Sequence, residues 1–232
     1  MNQDIPKTLV HFHGKPMIDY LLDAVHHSGI TTKPILVVGY QKELVMEHVG
    51  DAALYAVQTE QLGTGHAPRC AESLIEADTD TVLILFGDAP AVTGAMISNL
   101  IATHQASNCV MTMGTVTIPS YNDWYVVFTN FGRILRDEHG VITGNVEYKD
   151  ATDEQKKIHE VNPVYFCFNK KWLFENLALL TNTNAQGEYY LTDLVNRAAA
   201  NRGIASVPIS PEEALGVNSI EELQQLEKIV KK

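Results

Sequence analysis

Thr81-Val82-Leu83-Ile84-Leu85-Phe86-Gly87-Asp88 is a short, almost wholly apolar run that stops at a glycine and an aspartate. It lacks the polar alternation of a half-solvated strand, which suits a strand buried on both faces of a parallel sheet. Pro34–Val38 has the same character, and Leu54–Val57 is a shorter run of the same kind. The segments between and beside these runs carry helical patterns: Pro16–Ser28, Lys42–Val49, Thr64–Ala77 and Gly94–Gln105. Pro16 stands where a first-turn proline is tolerated, and Gly29 follows as a helix stop. A further strand is expected at Cys109–Thr117. Strand and helix signals that alternate in this way predict an α/β fold, with a mostly parallel sheet flanked by helices.

The pattern loosens after Thr117. Tyr121–Phe131 is aromatic and irregular, and Gly132–Arg136, Val141–Glu147 and Val164–Asn169 read as shorter, more exposed strands. Helices are expected at Trp172–Leu180 and Tyr190–Asn201, and Ser219 followed by Glu222 opens a last helix with a capping-box pattern. No repeat or long linker interrupts residues 1–232, so a single domain with a small appended lobe is expected. At the other end, Met1 to Ile5 lead directly to Pro6-Lys7 and a helix. Sheets of this class normally open with a strand that feeds a phosphate-binding loop, and here that first strand is absent.

Composition narrows the function classes. The 232 residues are 45% hydrophobic and 19% charged, with a net charge of −11. An acidic chain without a basic patch repels nucleic-acid backbones and anionic membranes, so neither is an expected partner. No apolar run approaches the roughly 18 residues of a membrane span, and no signal peptide is visible, so a cytoplasmic location is expected. The three cysteines, Cys70, Cys109 and Cys167, lack metal spacing and read as reduced thiols. The nine histidines form no ligand-spaced cluster; His11 and His13 read as incidental.

Two polar, glycine-bearing stretches remain that no packing rule requires: Gln61-Leu-Gly-Thr-Gly-His-Ala67 and Asn184-Ala-Gln-Gly-Glu-Tyr-Tyr-Leu-Thr-Asp193. Such stretches mark loops that touch a ligand. Asp88, just past the carboxyl end of a buried strand, points to the crevice where these sheets bind ligands, and a carboxylate there suits a hard cation. A turn aspartate before Pro90 is the plainer alternative. Gln58 offers both a donor and an acceptor to a pyrimidine edge, and Gly63 and Gly65 let backbone approach a planar base. His66 reads as a structural residue at a helix start rather than a catalyst.

With Gly87-Asp88 and Gly216-Val217-Asn218, these segments resemble, in order along the chain, the sugar-nucleotide pyrophosphorylases. The likeness is to the uridyltransferase domain of the N-acetylglucosamine-1-phosphate uridyltransferase type, and it runs from Asp4 to about Leu226. It implies a Rossmann-like nucleotidyltransferase fold that uses UTP, a sugar 1-phosphate and Mg²⁺. By this resemblance Gln58, Gly63 and Thr64 hold the uridine end, and Phe86, Gly87 and Asp88 line the ribose and phosphate region. Lys7 contacts phosphate as a catalytic point charge. Gly132, Glu147 and Asn162 bind the N-acetylglucosamine, and Asp88 and Asn218 hold Mg²⁺.

Three departures accompany the likeness. The family's opening Leu-Ala-Ala-Gly-x-Gly-Thr-Arg-Met is absent, and Met1 stands where its last Met would fall. A longer segment, Pro119 to Phe131, replaces the Pro-Thr-Gly-Tyr that precedes the Gly-Arg-Ile of residues 132–134, and Asn162-Pro163-Val164 stands for Asn-Thr-Gly. The last two bear on the sugar side. The β-helix acetyltransferase domain of bifunctional members has no counterpart here, so acetyl transfer is not expected. Another sugar such as glucose, dTTP in place of UTP, a non-catalytic nucleotide-sugar binder, and homo-oligomerisation all stay open at this stage.

Overall fold

The computed structural model describes residues 5–31, 33–184, 186–201 and 203–230. Residues 1–4, where the first strand was read as absent, lie outside this set, as do residues 231–232. The first described element is a 3₁₀ turn, Lys7–Leu9, followed by a tight hairpin of β1 (His11–Phe12) and β2 (Lys15–Pro16). Helix α1 (Met17–Ser28) then runs to Gly29, which takes the left-handed conformation (φ 70°) that a helix stop requires.

β3 (Ile35–Val38), α2 (Lys42–Val49) and β4 (Leu54–Val57) form a right-sized β-α-β unit, with β3 and β4 paired in parallel. α3 (His66–Ala71) follows and passes into a 3₁₀ turn at Glu72–Leu74, so the helix expected to reach Ala77 ends early. After β5 (Thr81–Ile84) come α4 (Gly94–Ala106) and β6 (Met111–Thr117). The chain continues through β7 (Gly132–Arg136), β8 (Ile142–Val146), α5 (Asp153–Lys156), β9 (Glu160–Asn162), β10 (Phe166–Asn169) and α6 (Lys170–Leu177). It closes with α7 (Asp193–Ala199), β11 (Ile204–Pro208) and α8 (Ile220–Ile229).

The main sheet runs β5-β10-β6-β9-β7-β8, with β11 also paired to β6. β10 lies antiparallel between β5 and β6, while β11 is parallel to β6. β5, β6 and β11 therefore share one direction, but β10 is reversed among them, so in the main sheet only the β6–β11 pairing is parallel, fewer than the expected mostly parallel sheet has. β7, β8 and β9 form an antiparallel extension that makes the smaller lobe. Strand β11, whose Ile-Ala-Ser-Val-Pro is short and mixed, gave no clear signal in sequence. Pairing of all its residues with Met111–Thr115 of β6 creates it.

Side chains of β6 alternate between two cores. Met111 and Met113 join Phe166, Phe168, Leu194 and Val195 under α6 and α7, whereas Val116 joins Ile97, Leu100, Met17 and Leu21 under α1 and α4. Helices thus cover both faces of the sheet, and each face buries an apolar layer. Cys70, Cys109 and Cys167 are free thiols, and burial pushes the Cys167 thiol up to about 12. Among the described residues no helix is long and apolar enough to cross a membrane.

An ion pair ties β7 to β9 within the lobe. Arg136 Nε and Nη2 donate to the two carboxylate oxygens of Glu160, both at 2.7 Å. Burial alone would raise the Glu160 pKa, but hydrogen bonds from Arg136 and Thr115 and the Arg136 charge outweigh it and hold the carboxyl below its ordinary value. A depressed folded pKa contributes stability above the unfolded Glu value of about 4.3, lost as pH falls through the folded value. Glu160→Gln should therefore cost about 1–3 kcal/mol at neutral pH. That difference should shrink as pH falls below the unfolded Glu value, as urea titrations at neutral and acidic pH would show.

Candidate active site

Three residues far apart in sequence converge beyond the end of β5. Lys7 Nζ donates to Asp88 Oδ2 and, at 2.9 Å, to Asn218 Oδ1. Local structure sets each of them. Lys7 opens the first 3₁₀ turn. Asp88 is held through its backbone, whose carbonyl accepts from Val217 N–H at 3.0 Å. Asn218 precedes α8, where Ser219 Oγ accepts from Glu222 N–H at 3.1 Å and the Glu222 carboxylate accepts from Asn218 N–H at 2.6 Å. The capping pattern seen in sequence thus has a second consequence: it fixes the residue before the helix as well as the helix. Gly87 lies against Thr8 and Ile18, so the strand end carrying Phe86, Gly87 and Asp88 packs directly on the Lys7 segment and α1.

Asp88 and Asn218 offer a carboxylate and an amide oxygen to the same point, a donor set that fits a hard cation with few protein ligands. Among the described residues no group of three or more His, Cys, Asp or Glu side chains could hold a metal. Such a cation would therefore keep water and take its remaining oxygens from phosphates. The ammonium of Lys7 shows that the oxygens face one cationic centre.

The two motif segments meet. Gly65 N–H donates to Tyr189 O at 2.7 Å, Tyr189 N–H donates to Leu62 O at 2.8 Å, and Leu191 N–H donates to Thr64 Oγ1 at 3.0 Å. A Cβ on Gly63, which has φ +105°, would fall 2.7 Å from Tyr189 O. The glycines thus have a packing role beside the expected approach to a base: they admit the neighbouring loop. Thr64, expected at the uridine end, uses its hydroxyl to hold Leu191. Gln58 follows β4, with its backbone N–H bonded to Val38 O at 2.8 Å and its side chain beside Gly63 and His66.

A cavity of about 220 Å³ lies at the smaller lobe, lined by Asn145, Val146, Glu147, Asp150, Asn184, Tyr190, Thr192, Asp193 and Asn196. Asn145 is its hub. Asn145 Nδ2 donates to Glu147 Oε1 at 3.1 Å, Asn162 Nδ2 donates to Asn145 Oδ1 at 3.3 Å, and Asn145 N–H donates to Asn196 Oδ1 at 2.9 Å. A Cβ on Gly132 would sit 2.5 Å from Asn145 Oδ1, so the glycine makes room for this amide. Burial, then the neighbouring Glu147 and Asp150 charges, raise the Asp193 pKa against the opposing pull of Arg197. The cavity is rich in acceptors and favours hydroxyl and amide donors over a phosphate.

Several expectations shift here. Asn162 is 1% exposed, with Oδ1 accepting from Val164 N–H at 2.8 Å and Nδ2 given to Asn145. It supports the cavity from behind instead of lining it, and it steadies Val164, which sits at φ +65°, a region that favours the glycine of the family pattern. Arg133 does not reach the sugar side. It is 1% exposed, donates to the carbonyls of Phe131, Thr129 (2.9 Å) and Lys156 (3.4 Å), and lies over the rings of Tyr121 (4.7 Å) and Tyr148 (5.1 Å). The aromatic segment it clamps, a 3₁₀ helix over Asp123–Asn130, packs toward α8. There Val127 and Phe131 share a cavity of about 280 Å³ with Asn218, Leu226 and Ile229. The longer segment therefore borders the Asn218 end of the site, not the sugar-side cavity. Asn145, Tyr190 and Asn196 were missed in sequence, although Tyr190 lies within a motif already singled out.

The MobA-like NTP transferase domain profile matches residues 1–199. The bifunctional protein GlmU of Heliobacterium modesticaldum is 41% identical over 227 residues, 97% of this chain and 48% of the relative. That of Geobacillus sp. is 39% identical over 94% of this chain and 46% of the relative, and that of Clostridium botulinum is 36% identical over 100% and 49%. The chain spans about half the length of these curated relatives. With residues 1–199 matched by one domain family, the chain belongs to the MobA-like NTP transferase domain family.

Proposed function

We propose that the protein is a sugar-1-phosphate nucleotidyltransferase that makes UDP-N-acetylglucosamine and pyrophosphate from UTP and N-acetylglucosamine 1-phosphate. The observation that carries this reading is the convergence of Lys7, Asp88 and Asn218 beyond the end of β5. The likeness to bifunctional GlmU proteins and the acceptor-rich cavity around Asn145 and Glu147 support it.

An ionised phosphate oxygen of the sugar 1-phosphate attacks the α-phosphorus of UTP. The new P–O bond forms as the bond to the bridging oxygen of the β-phosphate breaks, and pyrophosphate leaves with that electron pair. The nucleophile is already charged, so no general base is required; positioning and charge neutralisation are what the protein supplies. Lys7 neutralises phosphate charge as a point cation. Asp88 and Asn218 would hold Mg²⁺, which neutralises the charge of the phosphates when bound. Asn145 orients the Glu147 carboxylate toward sugar hydroxyls, and Gln58 faces the base.

A site built to pair a polar group rejects analogues that lack it, because its own groups are left unpaired. N-acetylglucosamine 1-phosphate should therefore exceed glucose 1-phosphate in kcat/KM, by about tenfold or more, when pyrophosphate release from UTP is measured. A preference for glucose 1-phosphate would move the protein to another sugar. No release with either, together with UTP binding by calorimetry, would make it a nucleotide-sugar binder.

A further inference from the structure

We infer that His66 is a positioning residue that sets which pyrimidine the site accepts, by holding the Gln58 amide in one of its two orientations. The inference rests on the uridylyl reading above and goes beyond it by naming the source of base choice.

Gln58 Nε2 lies 3.4 Å from Gly63 O and 3.1 Å from His66 Nδ1. A carbonyl oxygen can only accept, so the end of the amide beside Gly63 must be the NH₂ group. Its second proton then meets His66 Nδ1, which must be unprotonated. The imidazole proton is left on Nε2, which faces Cys70 Sγ at 3.9 Å, one helical turn along α3. Both donors of the Gln58 amide are thereby used. Among the described residues no protein donor reaches its Oε1, which stays available as an acceptor.

An acceptor in this position matches the imide N3–H of uracil or thymine. It opposes the N3 lone pair of cytosine, so that two acceptors would face each other unpaired. Were the amide reversed, its NH₂ would favour cytosine. Reversal would set the Gln58 and Gly63 oxygens against each other and would need the imidazole proton on Nδ1, away from Cys70; His66, at the shorter distance, adds to the Gly63 constraint by accepting the second amide proton. Because Gly63 is locked against Tyr189 and His66 begins α3, the orientation is fixed before any nucleotide arrives.

The test compares kcat/KM for UTP and CTP, with N-acetylglucosamine 1-phosphate, in wild type, His66→Leu and His66→Asn. Leucine removes the acceptor; asparagine returns one, its Oδ1, near the place of Nδ1. The wild type should prefer UTP by at least about a hundredfold. His66→Leu should shrink the UTP:CTP ratio by about tenfold or more, through the KM for UTP and not the KM for the sugar phosphate. His66→Asn should restore most of the ratio. Nitrogen-15 shifts of the wild-type imidazole should report the Nε2–H tautomer, a readout independent of how the variants fold. Equal losses with both nucleotides, or an Nδ1–H tautomer, would overturn the inference while leaving the uridylyl reading intact. A wild type that does not discriminate UTP from CTP would overturn both.

Discussion

Asp88→Ala is expected to lower turnover by about a thousandfold while leaving the fold intact. Asp88 is the one carboxylate among the described residues at the point where Lys7 and Asn218 meet. Its loss removes the only anionic oxygen of the proposed cation site and frees Lys7 to swing. The fold should survive because the structural contact of this residue is through its backbone carbonyl, which accepts from Val217 N–H at 3.0 Å whatever the side chain. Asn218→Ala should act in the same direction but less severely, since an amide oxygen contributes no net charge. The informative experiment is a Mg²⁺ titration of pyrophosphate release with a parallel thermal melt. Wild-type activity for Asp88→Ala at ordinary Mg²⁺ would falsify the assignment; a collapsed melt would show that the residue holds the fold instead.

Gly63→Ala is expected to destabilise the protein by about 2–4 kcal/mol, a Tm decrease on the order of 5–15 °C. Two costs add. The backbone is at φ +105°, which a side chain rarely adopts, and the new Cβ would lie 2.7 Å from Tyr189 O, 2.8 Å from Glu188 Cβ and 3.0 Å from Tyr189 N. Backbone neighbours cannot step aside as a flexible side-chain tip can. Relief would come from parting the two loops and losing the bonds from Gly65 N–H to Tyr189 O and from Tyr189 N–H to Leu62 O. Gly140→Ala is the matching control: it also has a positive φ, +79°, but nothing lies within 4 Å, so only the conformational cost of about 1–2 kcal/mol remains. Equal melting shifts in the two variants would mean that loop docking contributes nothing at Gly63.

Much of the scaffold was legible residue by residue. The runs at 34–38 and 81–86 hold the strands Ile35–Val38 and Thr81–Ile84, Gly29 stops a helix, and Ser219 caps one, because these outcomes depend on periodicity, backbone dihedrals and hydrogen bonds between near neighbours. The helix from Thr64 was read too long, since its 3₁₀ end carries no break in the local pattern. Strand β11 was not read at all, because its stability comes from its partner β6.

The site divides along the same line. Sequence alone determined an α/β chain of acidic charge, an aspartate past an apolar strand end, and two glycine-bearing loops that no packing rule demanded. Tertiary structure decided what those parts do together. It joins Lys7 to Asn218 across the length of the chain, seats the loop of Gly63 on that of Tyr189, and turns Asn162 inward behind Asn145. It also spends Arg133 on backbone carbonyls and aromatic faces rather than on a substrate. Local signals are written in neighbouring residues because dihedral preferences and capping bonds reach only a few positions. Contacts between distant residues are set by sheet register and by which apolar faces bury against one another, a property of the whole packed chain that no short stretch contains.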